Sequence, residues 1–329
     1  MVVIAAGAGV AVYAERATVA KGLAVLPHLR VGWLLAGIGA ECLSMLAFGQ
    51  LQRILLRAGG ARLSMGSVLG TVYRANVIAV AVPVIGSGIA TASLYRDFRR
   101  RGAQAAQVSM ALTVAGVLSS VAFAGVVAAG ALVTGNPAAA GAAVAVAVVG
   151  VVLAVVVGLA LHYPTMRSRL AARVIAVLRF SQRVIKRPRS DPEQAVNDLF
   201  TSAAGLRLGW RTVVVALGAA LVNWLTDVAC LVCALKAAGA GVPWSAILIV
   251  WTAGAGAASF SPSPAGIGVV DIVLIAALAG AGVPVAIAVA TVLLYRIVTF
   301  KIVITVACLA YYRLRPPEPS AGDAPAITG

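Results

Sequence analysis

Long apolar runs, separated by short polar or Pro/Gly-rich breaks, dominate the pattern of positions along this chain. Residues 103–161 contain no Lys, Arg, Asp or Glu. A single membrane-spanning helix needs about 20 apolar residues, so this run has room for two. The short segments of strict polar–apolar alternation that are typical of transmembrane β-strands are not found. The pattern predicts an all-α polytopic membrane protein.

The same pattern predicts where the individual helices lie. A first, short helix covers 1–15, and we interpret it as the end of a longer helix that begins upstream. The other predicted helices cover 31–51, 64–82, 89–100, 103–133, 138–162, 211–236, 244–260, 269–281 and 284–312. A polar, basic stretch at 163–210 separates the two groups, and the tail at 316–329 is predicted to be disordered. We therefore treat 1–315 as a single integral membrane domain.

Composition and charge agree with a membrane protein. Charged residues make up 11% of the chain, whereas soluble domains contain about a quarter. The net charge of +16 would suggest a nucleic-acid partner in a soluble protein, but most basic residues here lie between apolar runs without interleaved aromatic residues. We therefore exclude nucleic acid and assign the basic residues to the positive-inside rule and to anionic membrane lipids.

Charge also predicts the topology in the cell inner membrane. Four basic segments are assigned to the cytoplasm, namely 52–63, 96–101, 163–210 and the segment after the last helix. Because 52–63 and 96–101 lie on the same side, the chain between them cannot be a single span. It is predicted to enter, turn at 83–88 and return as a re-entrant hairpin, and 244–281 is predicted to form a second one. Irregular backbone at that depth must face protein or a water-filled cavity.

The two predicted hairpins match at a spacing of 180 residues. Gly86, Gly88 and Gly102 precede Gly266, Gly268 and Gly282 by that distance, and a proline, Pro83 or Pro264, precedes each turn. The same shift lays helix 31–51 on 211–231. Residues 31–133 and 211–312 are therefore predicted to be inverted copies of a helix, re-entrant hairpin, helix unit. Inverted repeats with broken helices recur in transporters, where the substrate site lies at the repeat interface.

Charged residues within predicted spans are candidates for function because their burial in lipid is costly. Arg296 lies about 18 Å into the last helix, near the middle of the membrane. Its planar guanidinium, and that of Arg74, suit the phosphate of an anionic lipid. Asp271 would either orient an arginine or lock the last helix to the second hairpin through an ion pair. With the neighbouring Asn76, these four are the candidate substrate-binding residues.

Other polar residues in the spans are assigned structural or mixed roles. Glu41 and Lys301 are interpreted as snorkelling or helix-packing residues. Asp227 is assigned either to a polar contact across the repeat interface or to substrate contact. Cys230 and Cys233 lie one helical turn apart without a second pair, so we predict no metal site and no cofactor. No catalytic residue is predicted.

Three motifs resemble a known family. Over roughly 30–312 the chain is similar to the flippase-like membrane proteins related to the N-terminal membrane domain of lysylphosphatidylglycerol synthases. The motifs are Asn76 followed by Pro83-x-x-Gly86, then Ser261-x-x-Pro264-Ala265-Gly266-Ile267-Gly268-Val269-Val270-Asp271, and Leu293-Leu294-Tyr295-Arg296. Where the family has a Gly pair and a Glu, this chain has Ala265-Gly266 and Asp271, a carboxylate one methylene shorter. The resemblance implies lipid translocation or lipid handling, without the soluble aminoacyl-transferase domain, for which the tail after 315 is too short.

These observations favour a transporter over an enzyme. The expected function is translocation or binding of a lipid with an anionic or glycosylated headgroup. One alternative is a membrane-embedded transferase acting on a lipid-phosphate, although the predicted external loops have almost no carboxylates. The other is a non-catalytic partner of a lipid-modifying enzyme, which would bind a membrane or cytoplasmic protein through 163–210.

Overall fold

The computed structural model describes residues 29–81, 86–135, 209–261 and 266–313, and within them it contains eight α-helices. They are α1 (Val31–Ala58), α2 (Met65–Ala81), α3 (Gly86–Arg100), α4 (Ala105–Thr134), α5 (Trp210–Ala237), α6 (Ile247–Phe260), α7 (Val269–Gly280) and α8 (Val285–Arg313). The helices predicted at 1–15 and 138–162, almost all of the basic stretch 163–210 and the tail at 316–329 lie outside the described residues. In the described part, the all-helical prediction is confirmed.

Three of the helices are long and apolar enough to cross a membrane. They are α1, α4 and α5, with 28, 30 and 28 residues. Large apolar side chains face outwards on them, including Leu35 at 62% exposure and Leu132 at 82%. In water such a surface would be unfavourable, whereas lipid tails are as apolar as the side chains themselves. The chain is therefore a membrane protein with helices that span the bilayer.

Helix α1 continues seven residues beyond its predicted end, so the prediction of a loop from residue 52 is wrong. Leu51, Leu55 and Leu56 are fully buried and hold the last two turns against the neighbouring helices. Arg57 lies in the last turn, where a positive charge interacts favourably with the carbonyl end of the helix dipole. Arg53 and Arg57, assigned from the sequence to a loop, therefore lie on the last turns of α1.

Helix α3 begins three residues before its predicted start and ends at the predicted residue, Arg100. It begins at Gly86 rather than at residue 89, and the residues predicted to start a basic loop at 96 belong to its last turns. Arg99 and Arg100 again lie at a helix C-terminus. The buried Leu94 and Phe98, one turn apart, continue the apolar face of the helix through this basic segment.

The helices bury two main apolar clusters. The first is built by α1, α2, α3 and α4 and is completed by Ala216 and Ala220 from the first half of α5. The second is built by α6, α7, α8 and the second half of α5, with Val126 from α4. Helix α5 therefore belongs to both clusters and joins the two groups of helices.

Helices α1 and α5 form the most extensive helix pair and run antiparallel. The backbone N–H of Arg30 donates to the Ala237 carbonyl at 3.1 Å, which joins the start of α1 to the end of α5. Near the middle, the Ser44 hydroxyl donates to the Asn223 carbonyl at 3.0 Å. At Gly37 an added Cβ would lie 3.2 Å from the Cβ of Cys233, so the backbones approach closely there. Small residues permit this close packing of membrane helices.

Candidate functional site

A cavity of about 550 Å³ lies between the two groups of helices. Helices α1, α2, α3, α4, α5 and α8 all contribute to its wall. The polar side chains of the wall are Glu41, Ser44, Asn76, Thr91, Ser119, Asn223, Asp227, Tyr295 and Thr299. Ligand pockets commonly have volumes of about 300–1,000 Å³ and combine an apolar wall with a few polar groups, so this cavity can hold a small molecule or a headgroup.

Asp227 is the carboxylate with defined partners in this cavity. The Tyr295 hydroxyl donates to its Oδ1 at 2.8 Å, and the Trp251 indole N–H donates to its Oδ2 at 3.2 Å. The donors come from α8 and α6, so the charge on α5 is held by two different helices of the second group. Of the two roles that the sequence left open for Asp227, its place in the cavity wall fits contact with a bound molecule.

Glu41 faces the same cavity from the other side. Its side chain is 4% exposed, which contradicts snorkelling and agrees with helix packing, the other role that the sequence left open for this residue. The residue lies about 15 Å into α1, too deep for a short carboxylate to reach water outside the bundle. Asp227 lines the cavity together with Glu41. It lies about 15 Å from the end of α5, and that end lies beside the start of α1 because the two helices run antiparallel.

The polar seam between α1 and α5 lies next to these carboxyl groups. The Asn223 side-chain amide donates to the Ser44 carbonyl at 3.1 Å and to the Ser44 hydroxyl at 2.8 Å. Both residues are buried, and each makes hydrogen bonds to the other helix. In lipid, buried polar groups must be satisfied within the protein, so this exchange fixes the register of the two helices.

Aromatic side chains support the wall beside Asp227. The rings of Phe123, Trp224 and Trp251 lie with centroids 5.3–5.8 Å apart in tilted or edge-on contacts. The Trp224 indole N–H donates to the Ser119 carbonyl at 2.9 Å. Rings from α4, α5 and α6 thereby hold Trp251 in the position from which it donates to Asp227.

A partly buried ion pair connects the second hairpin to the last helix, in agreement with one of the two interpretations of Asp271. The Arg296 Nε lies 2.6 Å from the Asp271 Oδ1. The other carboxylate oxygen accepts the backbone N–H of Gly268 at 2.9 Å, at the start of α7. Arg296 also donates from Nη2 to the Gly266 carbonyl at 3.4 Å and lies 5.0 Å from the centre of the Phe300 ring.

Glycine makes this arrangement possible at the second break. Gly266 and Gly268 have φ angles of +68° and +87°, a region that side chains disfavour. A Cβ on Gly266 would also collide with the side chain of Val270. The two glycines therefore turn the chain so that a carbonyl points to Arg296 and an N–H points to Asp271.

Arg74 lies in a different ion pair, away from the cavity wall. Its Nη2 lies 2.8 Å from the Asp97 Oδ2, so the pair joins the two arms of the first hairpin. Its Nε is buried and has no hydrogen-bond partner among the described residues. Nearby, Arg101 donates to the Ser67 hydroxyl at 2.7 Å. Burial and the charge of Arg74 lower the pKa of Arg101, which Asp97 partly opposes; an arginine nevertheless stays charged.

The four candidate substrate-binding residues thus fall into three places. Asn76 lines the cavity, where its side-chain amide donates to the Met45 sulfur at 3.4 Å. Asp271 and Arg296 form their ion pair next to the cavity, which Phe300 also lines. Arg74 is paired with Asp97 and is not part of the described wall. Among the predicted turn residues, Gly86 and Gly88 lie in the first turn of α3, whereas Pro83 and Pro264 lie outside the described residues, as does the Lys301 side chain.

Sequence reasoning did not bring Glu41, Asp227 and Tyr295 together. The sequence did contain a signal for the proximity of Glu41 and Asp227. The 180-residue shift aligns α1 with α5, and the equivalent helices of two inverted repeats are expected to run antiparallel. Cys230 and Cys233 are free thiols in the structure. Among the described residues no three His, Cys, Asp or Glu side chains lie close enough to hold a metal ion.

Comparison with known proteins agrees with a membrane domain of this kind. A search of curated proteins found no match. The model of the family described as "Lysylphosphatidylglycerol synthase TM region" matches residues 1–308. That range covers all of the cavity wall, both hairpins and the ion pair of the last helix. The chain belongs to the lysylphosphatidylglycerol synthase TM region family.

Proposed function

We propose that this protein is a flippase-like transporter that takes a lipid headgroup into the cavity and passes it across the membrane. The observation that carries the proposal is the polar cavity itself, which lies within a bundle of apolar helices and has walls from both helix groups. A headgroup needs polar surroundings to cross the apolar layer, whereas acyl chains can stay in lipid. A polar cavity of this size inside a membrane domain meets that need.

An inverted repeat of the two halves supports a transport function. The turn after α3 and the turn after α7 have the same hydrogen bonds at a spacing of 180 residues. Gly102 donates to Arg99 and Gly282 to Ala279, each at 3.0–3.1 Å. The φ angles of the two glycines are +89° and +88°. Such turns are common at helix ends, so the matching spacing, rather than the turn type, favours the repeat.

The α1–α5 pair adds support of a different kind. Two helices related by a twofold axis in the membrane plane run antiparallel and meet at equivalent residues. The 180-residue shift places Ser44 on Trp224, and Ser44 contacts Asn223, the neighbour of that position. An axis through this contact is the geometry expected for transporters in which one repeat moves against the other around a central site.

The lengths of the paired short helices favour re-entrant hairpins. Helices α2 and α3 are about 26 and 22 Å long, and α6 and α7 are about 21 and 18 Å long. The hydrocarbon layer is about 30 Å thick. Since α2 packs on α3 and α6 packs on α7, each pair can enter the bilayer and return to the same side.

Basic side chains support the proposed orientation in a cell inner membrane. Arg57 at the end of α1, Arg99 and Arg100 at the end of α3, and Arg101 with Ser67 near the start of α2 lie at the same end of the first helix group. The positive-inside rule assigns that end to the cytoplasm. Anionic lipids there would add to the attraction.

The cavity wall favours a glycosylated headgroup over one that places a phosphate at the centre. The described wall carries the carboxyl groups of Glu41 and Asp227 and the carboxamides of Asn76 and Asn223, without a Lys or Arg. Carboxyl and carboxamide groups bind hydroxyl groups, whereas they repel or only weakly bind phosphate. Arg296, next to the cavity beside Phe300, is placed to bind a phosphate that links the sugar to the acyl chains.

The test is translocation in proteoliposomes with fluorescent glycosylated, anionic and zwitterionic lipids. We expect the glycosylated lipid to move fastest and Asn76→Ala to slow it by about tenfold, because a hydrogen bond to the substrate is lost. Ser120→Ala is the matched control, since this exposed hydroxyl bonds the Gly116 carbonyl of its own helix. Translocation of no lipid by folded wild type contradicts the proposal. Lipid binding without translocation would favour the non-catalytic partner role.

A further inference from the structure

Glu41 is a buried carboxyl group without a partner. Its side chain is 4% exposed and lines the cavity, and no described residue makes a hydrogen bond or ion pair with it. An isolated carboxylate in an apolar interior costs many kcal/mol, and such a group takes up a proton or a cation instead. The geometry therefore requires Glu41 to carry a positive ion or to be neutral.

Asp227, in contrast to Glu41, has hydrogen-bond partners on both carboxylate oxygens. Its two oxygens accept hydrogen bonds from Tyr295 and Trp251 at 2.8 and 3.2 Å. Bonds donated to a carboxylate stabilise its charged form. Of two neighbouring carboxyl groups that share a cavity, one holds a proton more readily. The partners make Asp227 the charged member and Glu41 the proton-bearing member.

Among the described residues, no other group near Glu41 supplies a compensating charge. The described wall of the cavity contains neither Lys nor Arg, and the wall residues from α3 and α4 carry no titratable group. Arg74 and Arg296, each next in sequence to a residue of the wall, are paired with Asp97 and Asp271. The remaining titratable groups that face the pair from α1, α2, α5 and α8 are neutral at physiological pH, namely Cys42, Tyr73, Cys230 and Tyr295.

The ligand set favours a proton over a metal ion. A metal ion such as sodium binds through several oxygen atoms at once. Each Asp227 oxygen already accepts one hydrogen bond, from Tyr295 or Trp251, which leaves it fewer lone pairs for a metal ion. Among the described residues no third acidic, His or Cys side chain joins Glu41 and Asp227. One proton on Glu41 leaves a single negative charge in the described wall, on Asp227, which the hydrogen bonds from Tyr295 and Trp251 stabilise.

We propose that Glu41 is a proton-binding site of this cavity and that a transmembrane proton gradient drives translocation through it. The second half of this statement rests on the proposed transport function. Closing the cavity from water with two carboxylates inside would be costly. The cavity therefore closes readily only when Glu41 holds a proton, so proton binding and closure are linked.

The site itself is tested without transport, by infrared spectroscopy of the full chain in liposomes at pH 7. We expect the C=O band of a protonated carboxyl group, which shifts on labelling with carbon-13 glutamate and is lost in Glu41→Gln. Asp97→Asn is the control, because that carboxylate is paired with Arg74, and should leave the band unchanged. The labelling shift needs no substitution and assigns the band to a glutamate even if Glu41→Gln does not fold, and Glu41 is the one glutamate among the described residues. The proton site is overturned if the band is absent or does not shift on labelling. It is also overturned if the band is lost when sodium replaces potassium.

Coupling is tested by imposing a gradient of one pH unit on proteoliposomes. For one proton per lipid, the steady-state distribution of lipid between the leaflets should change by up to about tenfold, equivalent to about 1.4 kcal/mol. In Glu41→Gln the distribution should no longer follow the gradient. Translocation by wild type that ignores the gradient overturns the coupling. Failure of all translocation overturns the proposed function and the coupling together, whereas the proton site is decided by the infrared band alone.

Discussion

The two hairpins use an arginine–aspartate pair in different ways. In the first, Arg74 on α2 and Asp97 on α3 join the two arms of the hairpin. In the second, Asp271 at the start of α7 pairs with Arg296 on α8, outside the hairpin. The first pair closes its hairpin on itself, while the second attaches its hairpin to the last helix. The second hairpin and α8 should therefore move as one unit, and the first hairpin should be able to move separately.

The pairs also lie at positions that the repeat does not share. On the 180-residue alignment, Arg74 corresponds to Gly254 and Asp97 to Ala277, while Arg296 corresponds to Gly116. If the two halves descend from one unit, both kept the glycine turns, and the ion pair arose at a different position in each half. The difference teaches that the matching glycine turns of the two hairpins do not imply the same ion pairs beside them.

The largest effect is expected from breaking the second pair. Arg296→Met removes the arginine partner of the partly buried Asp271 carboxylate, together with the guanidinium's contacts to the Gly266 carbonyl and the Phe300 ring. These losses should lower the free energy of unfolding by about 2–4 kcal/mol. Asp271→Asn in the same chain should recover part of this loss, with a coupling of about 1–3 kcal/mol. The measurement is unfolding in mixed micelles for the four members of the cycle. Additive losses would mean that the two side chains do not stabilise one another.

A smaller effect is expected from filling the first break. A Cβ on Gly86 would collide with the Ala79 carbonyl oxygen, whereas nothing lies within 4 Å of a Cβ on Gly88. Gly86→Ala should therefore cost about 1–3 kcal/mol. Gly88→Ala should be neutral or slightly stabilising, because alanine favours a helix over glycine. Equal melting temperatures for the two variants would contradict the close approach of α2 and α3 at this point.

The smallest effect is expected from the first pair. The side chains of Arg74 and Asp97 are 30% and 13% exposed, about as much in total as those of the second pair. Among the described residues, however, this pair lacks backbone hydrogen bonds like those that Asp271 and Arg296 make to Gly268 and Gly266, and a single partly exposed contact contributes about 0–1 kcal/mol. Asp97→Asn should therefore lower stability by roughly 1 kcal/mol, and the loss should shrink in high salt. The unfolding cycle with Arg74→Gln at two salt concentrations measures this. A coupling as large and salt-independent as that of Asp271 and Arg296 would remove the distinction between the hairpins.

Much of the fold followed from the sequence because apolar runs of membrane length leave few alternatives. The predicted starts and ends of α4 and α5 agree with the structure within about two residues. The contact of Asp271 with Arg296 could be expected because a lone charge in a span needs a partner. The end of α1 could not be placed, because Arg57 is equally compatible with a loop and with the last turn of a helix that has reached the membrane surface.

The cavity was harder to predict because it depends on how helices cross. A helical pattern shows which side of α1 is polar. Whether Glu41 lines the same cavity as Asp227, however, depends on the register of α1 against α5. That register is set by close packing at Gly37 and by the exchange between Ser44 and Asn223. Asp97 was also overlooked as a partner for Arg74, because it lies within a run of arginines that was interpreted as a loop.

The contact between α1 and α5 has a consequence for how the protein is made. Ser44 and Asn223 are 179 residues apart in the chain. At roughly 5–20 residues per second, the ribosome completes α5 about 10–35 s after α1. During this interval Glu41, Ser44 and Gln52, all buried in the finished protein, have not yet met α5. The many lipid-facing apolar residues of α1 must therefore keep it inserted until synthesis of the second half supplies its partner.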